Sequence, residues 1–338
     1  MTAYAYMSNQ EFLEAHTTAY RTFESPANDP VILDAVPFER FTRDVTSDLD
    51  APQDRAQDGV RSRSDSIEHI WQELDKRMPK HRGTTERGNP VLRKTIVTLE
   101  NYSKAATQKY DDRHTINVDR LTGEQVAAYQ AAVPYNKQFT AWDRFLVGET
   151  NEFGLAYDGQ NFFDTDHPGP GTTVYSNYEA GVLDLDETSL ESVLQTMRSY
   201  RKENGDSWGN KITSAVDTNM ERDRINRNND STPQFHIFTG LALQDKARDL
   251  LRVSQENPGK FAGMGTTSRA FAIDESDQPN SWYVWLPTMG ISPLFIASWD
   301  TWIADSIDVD SKEMSFFVHA RWGFGYSHWH TMFKVKNG

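Results

Sequence analysis

The stretch Tyr157-Asp158-Gly159-Gln160-Asn161-Phe162-Phe163-Asp164-Thr165-Asp166-His167-Pro168 decides how this chain is interpreted. It places Asp164, Asp166 and His167 directly before a proline. Carboxylate oxygens and imidazole nitrogens bind divalent metals, so the stretch has the composition of a metal site. Aspartates before a proline also cap turns by accepting hydrogen bonds from backbone N–H groups. The second interpretation is favoured, because no Glu-rich helix or His-Glu-x-x-His pattern accompanies the stretch.

Two more histidines, His328 and His330, are candidate nitrogen ligands for the same metal. They are two residues apart, so on a strand they face the same side. The simpler prediction is that both are packed strand residues. We therefore expect no metal-binding residues in the chain, and no cofactor.

Two glycine-containing segments resemble catalytic or nucleotide-binding motifs and fail at one position each. Gly263-Met264-Gly265-Thr266-Thr267-Ser268 has a serine where a dinucleotide fingerprint needs its third glycine. Gly325-Tyr326-Ser327-His328-Trp329 has a tryptophan where a hydrolase nucleophile elbow needs its closing glycine. The sequence therefore predicts no catalytic residues, and the chain is not expected to be an enzyme.

Composition narrows the class of protein further. The 338 residues contain 9 Trp, 13 Tyr and 18 Phe, which is typical of a globular chain with large buried surfaces. The absence of Cys excludes disulfides and thiol catalysis. A formal net charge of -14 argues against tight binding to DNA phosphates but not against enclosing DNA, and mild salt adaptation would produce the same acidity. The longest apolar stretch, Trp282 to Trp299, is interrupted by Pro287, Gly290 and Pro293, so no membrane helix is expected.

The first third of the chain reads as an arm followed by a projecting segment. Residues 8–24 have a helical pattern, and residues 25–60 are proline-rich and extended. Residues 94–118 favour strands, including His114–Val118. Over residues 51–113 there are 13 Lys and Arg against 10 Asp and Glu, so this segment is slightly basic. It is either a solvated loop or an element that docks on the acidic body of a neighbouring copy.

The best helix candidate covers residues 122–148, with Thr122 and Gln125 as a capping box and Gly148 as its stop. Pro134 divides it and is expected to kink the helix or shift its face. A helix of about 25 residues spans about 37 Å, which suits a structural spine. Its apolar residues form two stripes, one of Val126, Tyr129 and Val133 and another of Phe139, Trp142 and Leu146.

The remainder alternates irregularly between helices and strands, which predicts an α+β fold. A helix over 188–203 is expected to be capped by Thr188 and Glu191 and to end before Gly205, and a polar loop is expected over 206–233. The other expected elements are a strand at Phe235–Phe238, a helix over 241–255, a loop from Gly259 to Asn280, and strands at Trp282–Leu286, Leu294–Ala297, Thr301–Val309, 314–322 and 326–335.

Over residues 94–338 the chain resembles the major head subunit of Mu-like phages and prophages. The resemblance is carried first by the stretch from Tyr157 to Pro168. It is supported, in order along the chain, by Val118-Asp119-Arg120-Leu121, Trp142-Asp143-Arg144-Phe145-Leu146, Leu190-Glu191-Ser192-Val193-Leu194-Gln195-Thr196-Met197-Arg198, Ala247-Arg248-Asp249-Leu250-Leu251 and Arg321-Trp322-Gly323-Phe324-Gly325-Tyr326. We call residues 157–168 the signature loop.

This resemblance implies the HK97-like fold of tailed-phage capsids. Its parts are expected to be an N-terminal arm (1–50), an E-loop β-hairpin extension (51–119), a peripheral domain with a long spine helix (120–220 and 300–338) and an axial domain (221–299). The signature loop is then structural, and its residues of interest are Tyr157, Asp158, Gly159, Gln160, Phe162, Phe163, Asp164, Asp166, His167 and Pro168.

The function implied by the resemblance is that of a major capsid protein, which self-assembles into the icosahedral shell around the double-stranded DNA of a tailed phage. The implied partners are other copies of the chain in hexamers and pentamers, and also portal, scaffolding and decoration proteins. Packaged DNA is touched only non-specifically, no membrane is involved, and the protein ends in the virion after assembly in the host cytoplasm. The alternatives are a metal-dependent hydrolase using Asp164, Asp166 and His167, an encapsulin-like compartment shell, and a soluble binding module.

Overall fold

The structure, a computed structural model, describes residues 42–45, 66–73, 91–109, 118–181, 183–201, 235–252, 260–286, 292–308 and 313–337. The predicted helix over 8–24, the polar loop 206–233 and most of the proline-rich arm lie outside these residues. The four described α-helices are α1 (Val118–Leu146), α2 (Glu187–Ser199), α3 (Leu241–Leu251) and α4 (Phe271–Glu275). None of the helices in these ranges is both long and apolar enough to cross a bilayer.

Thirteen strands and one short 3-10 helix (Trp329–Thr331) complete the described structure. The strands are β1 (Thr42–Asp44), β2 (Ser66–Glu73), β3 (Val91–Thr98), β4 (Glu100–Lys109), β5 (His167–Pro168), β6 (Val174–Tyr175), β7 (Tyr178–Ala180), β8 (Phe235–Thr239), β9 (Gly265–Arg269), β10 (Trp282–Trp285), β11 (Leu294–Asp308), β12 (Glu313–Tyr326) and β13 (Met332–Lys336). This mixture confirms the predicted α+β class.

The strands form two larger sheets and two pairs. One sheet has the order β1-β11-β12-β4, in which β1 runs parallel to β11 and β4 runs antiparallel to β12. The second sheet has the order β7-β13-β10-β8-β9 and is mixed, because β7 and β9 pair in parallel with their neighbours. Strands β2 and β3 form an antiparallel hairpin, and β5 with β6 forms a second small pair.

The described residues divide into two compact units, and the first comprises residues 99–109, 118–138, 298–308 and 313–322. Its core lies where the first half of α1 meets β4 and β12. Val126 and Tyr129 pack there against Ala106, Phe316 and Val318. The first predicted stripe of α1 is therefore correct, and Val133 is buried as well.

The second unit holds the other described residues, including the five-stranded sheet. The last turns of α1 belong to it, and Trp142 there packs edge-on against Phe238 and Tyr283, at ring-centroid distances of 5.0 and 5.6 Å. Trp142 is buried, while Phe139 and Leu146 are half-buried, so the second predicted stripe also faces a core. The four-part division predicted from the sequence stays a prediction.

Several element boundaries differ from the prediction. Helix α1 already begins at Val118, the last residue of a predicted strand, and it runs unbroken through Pro134, which is exposed. Helix α2 is capped by Asp186, whose carboxylate accepts the Ser189 N–H at 2.7 Å, and Thr188 lies inside the helix. Asp186, and not the predicted Thr188, caps the helix because it lies one residue before the first helical residue, which is the N-cap position.

The predicted loop from Gly259 to Asn280 is wrong, since it contains β9 and α4. Strand β9 is polar and is stabilised by parallel pairing with β8. This pairing partner cannot be recognised from the local sequence pattern. The two strands predicted at Leu294–Ala297 and Thr301–Val309 are one continuous strand, β11.

Candidate functional site

The signature loop folds around a buried ion pair that was not predicted. The side chains of Asp158 and His167 are both almost inaccessible, and His167 Nδ1 lies 2.7 Å from Asp158 Oδ2. The other ring nitrogen, Nε2, lies 3.1 Å from Asn177 Oδ1. Both ring nitrogens are thus engaged by protein oxygens, which leaves His167 with no free nitrogen for a metal in this arrangement.

Asn177 connects the signature loop to the end of the chain, and no local sequence signal points to it. Its Oδ1 accepts the Asp164 N–H at 2.9 Å, while its Nδ2 donates to three backbone carbonyls. These belong to Phe162 (2.8 Å), Trp329 (3.1 Å) and Met332 (3.3 Å). The amide orientation is therefore set by its neighbours, with Oδ1 facing the Asp164 N–H and Nδ2 facing the carbonyls.

The predicted metal ligands do not converge. Asp164 Oδ1 accepts the Thr165 N–H at 2.7 Å, which is the turn-capping role expected for it. Asp166 is exposed, and the neighbouring Asp164 carboxyl holds the pKa of Asp166 above its ordinary value by hydrogen bonding and charge repulsion. Within the described part of the chain, no three His, Asp or Glu side chains are grouped to hold a metal ion.

The remaining residues of the signature loop are packing and turn residues. Phe162 is buried and stacks on Tyr326 at 4.8 Å, and Phe163 is buried beside it. Gly159 has a φ of 83°, in the left-handed region that glycine tolerates best. The Gln160 carbonyl accepts the Ala156 N–H and closes this turn, and Pro168 is the exposed end of β5.

The predicted strand over 326–335 is broken, so His328 and His330 do not share a strand face. Strand β12 ends at Tyr326, the 3-10 helix follows, and β13 starts at Met332. The Thr331 N–H donates to the His328 carbonyl and closes this turn. The rings of the two histidines lie perpendicular, with centroids 5.4 Å apart, and both side chains are buried. They are packed residues, as expected, but of a turn and not of a strand.

The hairpin of β2 and β3 belongs to the second unit. The face that it directs at the rest of this unit, which we call its inward face, consists of His69, Trp71, Arg93, Thr95 and Val97. Trp71 contacts the rings of Phe295, His328 and Tyr157 at 5.1, 5.4 and 5.9 Å. Arg93 lies over the Tyr157 ring at 4.9 Å. The signature loop, through Tyr157, is thus part of the seat on which the hairpin rests.

The opposite face of the hairpin, its outward face, consists of Glu68, Ile70, Leu92, Lys94 and Ile96. Its three aliphatic side chains are 57%, 68% and 59% exposed, in that order. Glu68 and Lys94 form an ion pair of 3.0 Å among them. A two-stranded sheet is marginally stable alone, and clustered exposed aliphatic groups mark interaction sites. The outward face is therefore a candidate surface for contact with another protein molecule.

Gly325 allows the hairpin to approach its seat closely. A Cβ at this position would lie 2.9 Å from Val97 Cγ2 and 3.0 Å from the Ile96 carbonyl oxygen. Since the second of these is a backbone atom, the hairpin must shift. We expect Gly325→Ala to lower the free energy of unfolding by about 1–3 kcal/mol and to increase protease cleavage in the hairpin.

A matched control for that variant is Gly181→Ala, whose Cβ would have only an ordinary contact at 3.6 Å with Glu179. It should change the stability by less than about 0.5 kcal/mol. Equal urea denaturation midpoints for the two variants would show that the close approach at Gly325 is unimportant.

No protein-family model matches the chain, and no curated protein matches it. Among solved structures, the chain is similar to one of the bacteriophage JBD30 procapsid, with 13% identity and a TM-score of 0.47 over 98% of this chain and 77% of that chain. It is similar to a chain of the bacteriophage PhiM1 mature capsid, with 10% identity and a TM-score of 0.47 over 93% and 90%. It is also similar to the virus-like particle from Pyrococcus furiosus, with 8% identity and a TM-score of 0.42 over 96% and 99%.

Proposed function

We propose that this chain is the major capsid protein of a tailed bacteriophage, built on the HK97-like fold and related to the Mu-like head subunits. It forms the icosahedral shell around a double-stranded DNA genome and catalyses no reaction. The observation that carries the proposal is the outward face of the hairpin, with its three exposed aliphatic side chains. The resemblance of the signature loop supports the choice of family.

The outward face has the composition of a contact between subunits. Fully burying one Ile or Leu side chain contributes about 1.5–3 kcal/mol, so covering Ile70, Leu92 and Ile96 gives a substantial gain. The Glu68–Lys94 pair between them can keep the register of a partner surface specific. The inward face already rests on the hairpin's own subunit, so the outward face is the one left for a neighbour.

Charge supports a second copy of this chain as the partner. Residues 51–113 have 13 Lys and Arg against 10 Asp and Glu, which leaves 22 against 39 in the rest of the chain. A slightly basic hairpin segment is attracted to a strongly acidic body, and such complementarity accelerates and orients docking. Contacts of one surface with a different surface of the next copy are those that close into rings.

The long helix suits the same role. Helix α1 has 29 residues, and its first and last parts pack in the cores of different units. In this proposal it is the spine of the peripheral domain (120–220 and 300–338). The arm (1–50), the E-loop (51–119) and the axial domain (221–299) keep their predicted boundaries.

The proposal implies hexamers and pentamers of this chain in the shell. Portal, scaffolding and decoration proteins are its further partners, and packaged DNA is contacted without sequence specificity. The protein is assembled in the host cytoplasm and resides in the virion. A net charge of -14 fits this role, since an acidic wall does not hold the DNA that it encloses.

The test is electron microscopy of the purified chain, with light scattering on the same sample. Closed shells, or rings of five and six subunits, are expected. The double variant Ile70→Ser/Ile96→Ser should raise the concentration needed for assembly at least about tenfold, because each copy loses apolar area at the contact. Its urea denaturation should remain near wild type, since both side chains are exposed in the subunit.

Two controls accompany this variant. Ile70→Val/Ile96→Val keeps the face apolar and should assemble nearly as the wild type does. Leu155→Ser removes an exposed aliphatic side chain elsewhere and tests whether any surface leucine matters. A wild-type chain that stays monomeric at high concentration, or a serine variant that assembles normally, would contradict the proposal.

A further inference from the structure

Lys334 is a buried cation at the end of the spine helix. Its side chain has 0% exposure, and its Nζ donates to the carbonyls of Leu146 and Phe145 at 2.6 and 3.4 Å. The last carbonyls of a helix lack partners within the helix, and the negative end of the helix dipole favours a cation. Lys334 belongs to β13, so this one ammonium group joins the C-terminal strand to the end of α1.

Glu149 completes the junction from the turn after α1. Its Oε2 lies 2.5 Å from Lys334 Nζ, and its Oε1 lies 2.7 Å from the Nζ of Lys336. Lys334 Nζ also lies 5.7 Å from the ring centroids of both Phe163 and Tyr283. We call Glu149, Lys334 and Lys336 the junction cluster.

The titratable groups around the junction cluster come from four elements. Tyr178 lies on β7, Tyr283 on β10, Tyr326 at the end of β12 and Asp277 in the turn after α4, and each has an electrostatic interaction with at least one cluster member. Burial raises the pKa of all three tyrosines, so they stay neutral as the solution becomes mildly alkaline. Below about pH 10, the ammonium of Lys334 is thus the group of this junction that changes charge.

Burial lowers the pKa of Lys334 to about 8, even though Glu149 acts in the opposite direction. Burial also raises the pKa of Glu149, but attraction and hydrogen bonds from Lys334 and Lys336 outweigh this and leave it below its ordinary value. The hydrogen bond to Glu149 raises the pKa of Lys336, which is a third exposed. The two lysines therefore compensate the Glu149 carboxylate fully for its burial. The more deeply buried ammonium of Lys334 is compensated only in part.

We propose that the junction cluster is a proton-linked lock between the end of α1 and β13, whose opening takes up a proton in alkaline solution. When the junction opens, Lys334 meets water and regains its ordinary affinity for a proton. Between about pH 8 and 10.5 the open state then holds a proton that the closed state lacks. Opening is consequently harder as the pH rises through this window, and below it both states are protonated and the pH has no effect through Lys334.

This inference concerns the junction inside one subunit and does not rest on the proposed capsid function. A failure of the lock would leave shell assembly untouched, and a chain that forms no shells would still show the lock.

The test is urea unfolding of the full chain at several pH values, followed by Trp fluorescence. From pH 8.5 to 9.5 the unfolding equilibrium constant of the wild type should fall about sevenfold relative to that of Lys334→Met, which lacks the titrating group. Lys336→Met is the matched control, because it removes the outer lysine and leaves the buried one, and its pH dependence should follow the wild type.

Glu149→Gln supplies a second test should Lys334→Met fail to fold. Removing the carboxylate that favours the ammonium should move the onset of the pH dependence below pH 8. An unchanged onset in this variant would overturn the proposal, as would the same pH dependence in Lys334→Met and in the wild type.

Discussion

The variant Asn177→Ala is expected to lose about 4 kcal/mol or more of unfolding free energy, the largest effect of any polar substitution in the described structure. The side chain is fully buried and makes five hydrogen bonds. Alanine leaves three carbonyls, one N–H group and one imidazole nitrogen without this partner. Each buried polar group that loses its partner costs about 1–3 kcal/mol, although relaxation of the loop recovers part of the sum.

The position of the lost bonds increases the effect. The Phe162 carbonyl belongs to the signature loop, while the carbonyls of Trp329 and Met332 lie more than 150 residues later in the chain. Trp329 begins the 3-10 helix that directly follows His328, and the ring of His328 contacts Trp71 of the hairpin. We therefore expect Asn177→Ala to loosen the hairpin as well, visible as faster proteolysis between β2 and β3.

Two further variants test whether the lost hydrogen bonds of the Asn177 amide cause the loss of stability. Asn177→Asp has the same shape but cannot donate to the three carbonyls, so it should be at least as unstable as the alanine variant. Asn151→Ala removes an asparagine side chain from an exposed turn and should change stability by less than about 0.5 kcal/mol. The measurement is urea denaturation, and a loss below about 1 kcal/mol in Asn177→Ala would show that the amide is not essential.

Elements with a strong local pattern were predictable from the sequence. The two predicted stripes of α1 face two cores, and the helix predicted over 241–255 is present as α3, whose buried residues include Leu243, Ala247 and Leu251. A helix with one apolar face gains most of its stability by burying that face, so its periodicity survives in the fold. The hairpin strand at Thr95–Val97 was predictable from its β-branched side chains, which favour strands.

The buried network of the signature loop was not predictable, because its partners are distant in sequence. From the sequence, His167 was a candidate metal ligand and Asp158 was one structural residue of the signature loop among several, and only the fold pairs them. Asn177 carries no local pattern at all. Lys334 did offer a signal, since a lysine within the apolar run Met332–Val335 must find a partner when its strand is central. The prediction of a loop in place of β9 failed for a related reason. The strand is stabilised by pairing with β8, and its own polar sequence gives no strand pattern.

The variant Trp142→Ala is expected to lose about 3–5 kcal/mol of unfolding free energy. The indole lies on α1 and is 2% exposed. Its ring packs edge-on against those of Phe145, Phe238 and Tyr283, at centroid distances of 5.5, 5.0 and 5.6 Å. Alanine removes this apolar area and leaves a cavity between the helix and the sheet, and edge-on aromatic pairs add about 0.5–1.5 kcal/mol each to the loss.

Urea denaturation at a low protein concentration checks this prediction, because no assembly then contributes to stability. Trp142→Phe should recover much of the loss, and Tyr135→Ala, on an exposed part of the same helix, should cost less than about 1 kcal/mol. A Trp142→Ala chain as stable as the wild type would mean that α1 is not held by this contact. Together with Ile70→Ser/Ile96→Ser, the variant separates two roles. A core residue of the subunit lowers stability at every concentration, whereas a contact residue of the shell changes only the concentration at which subunits assemble.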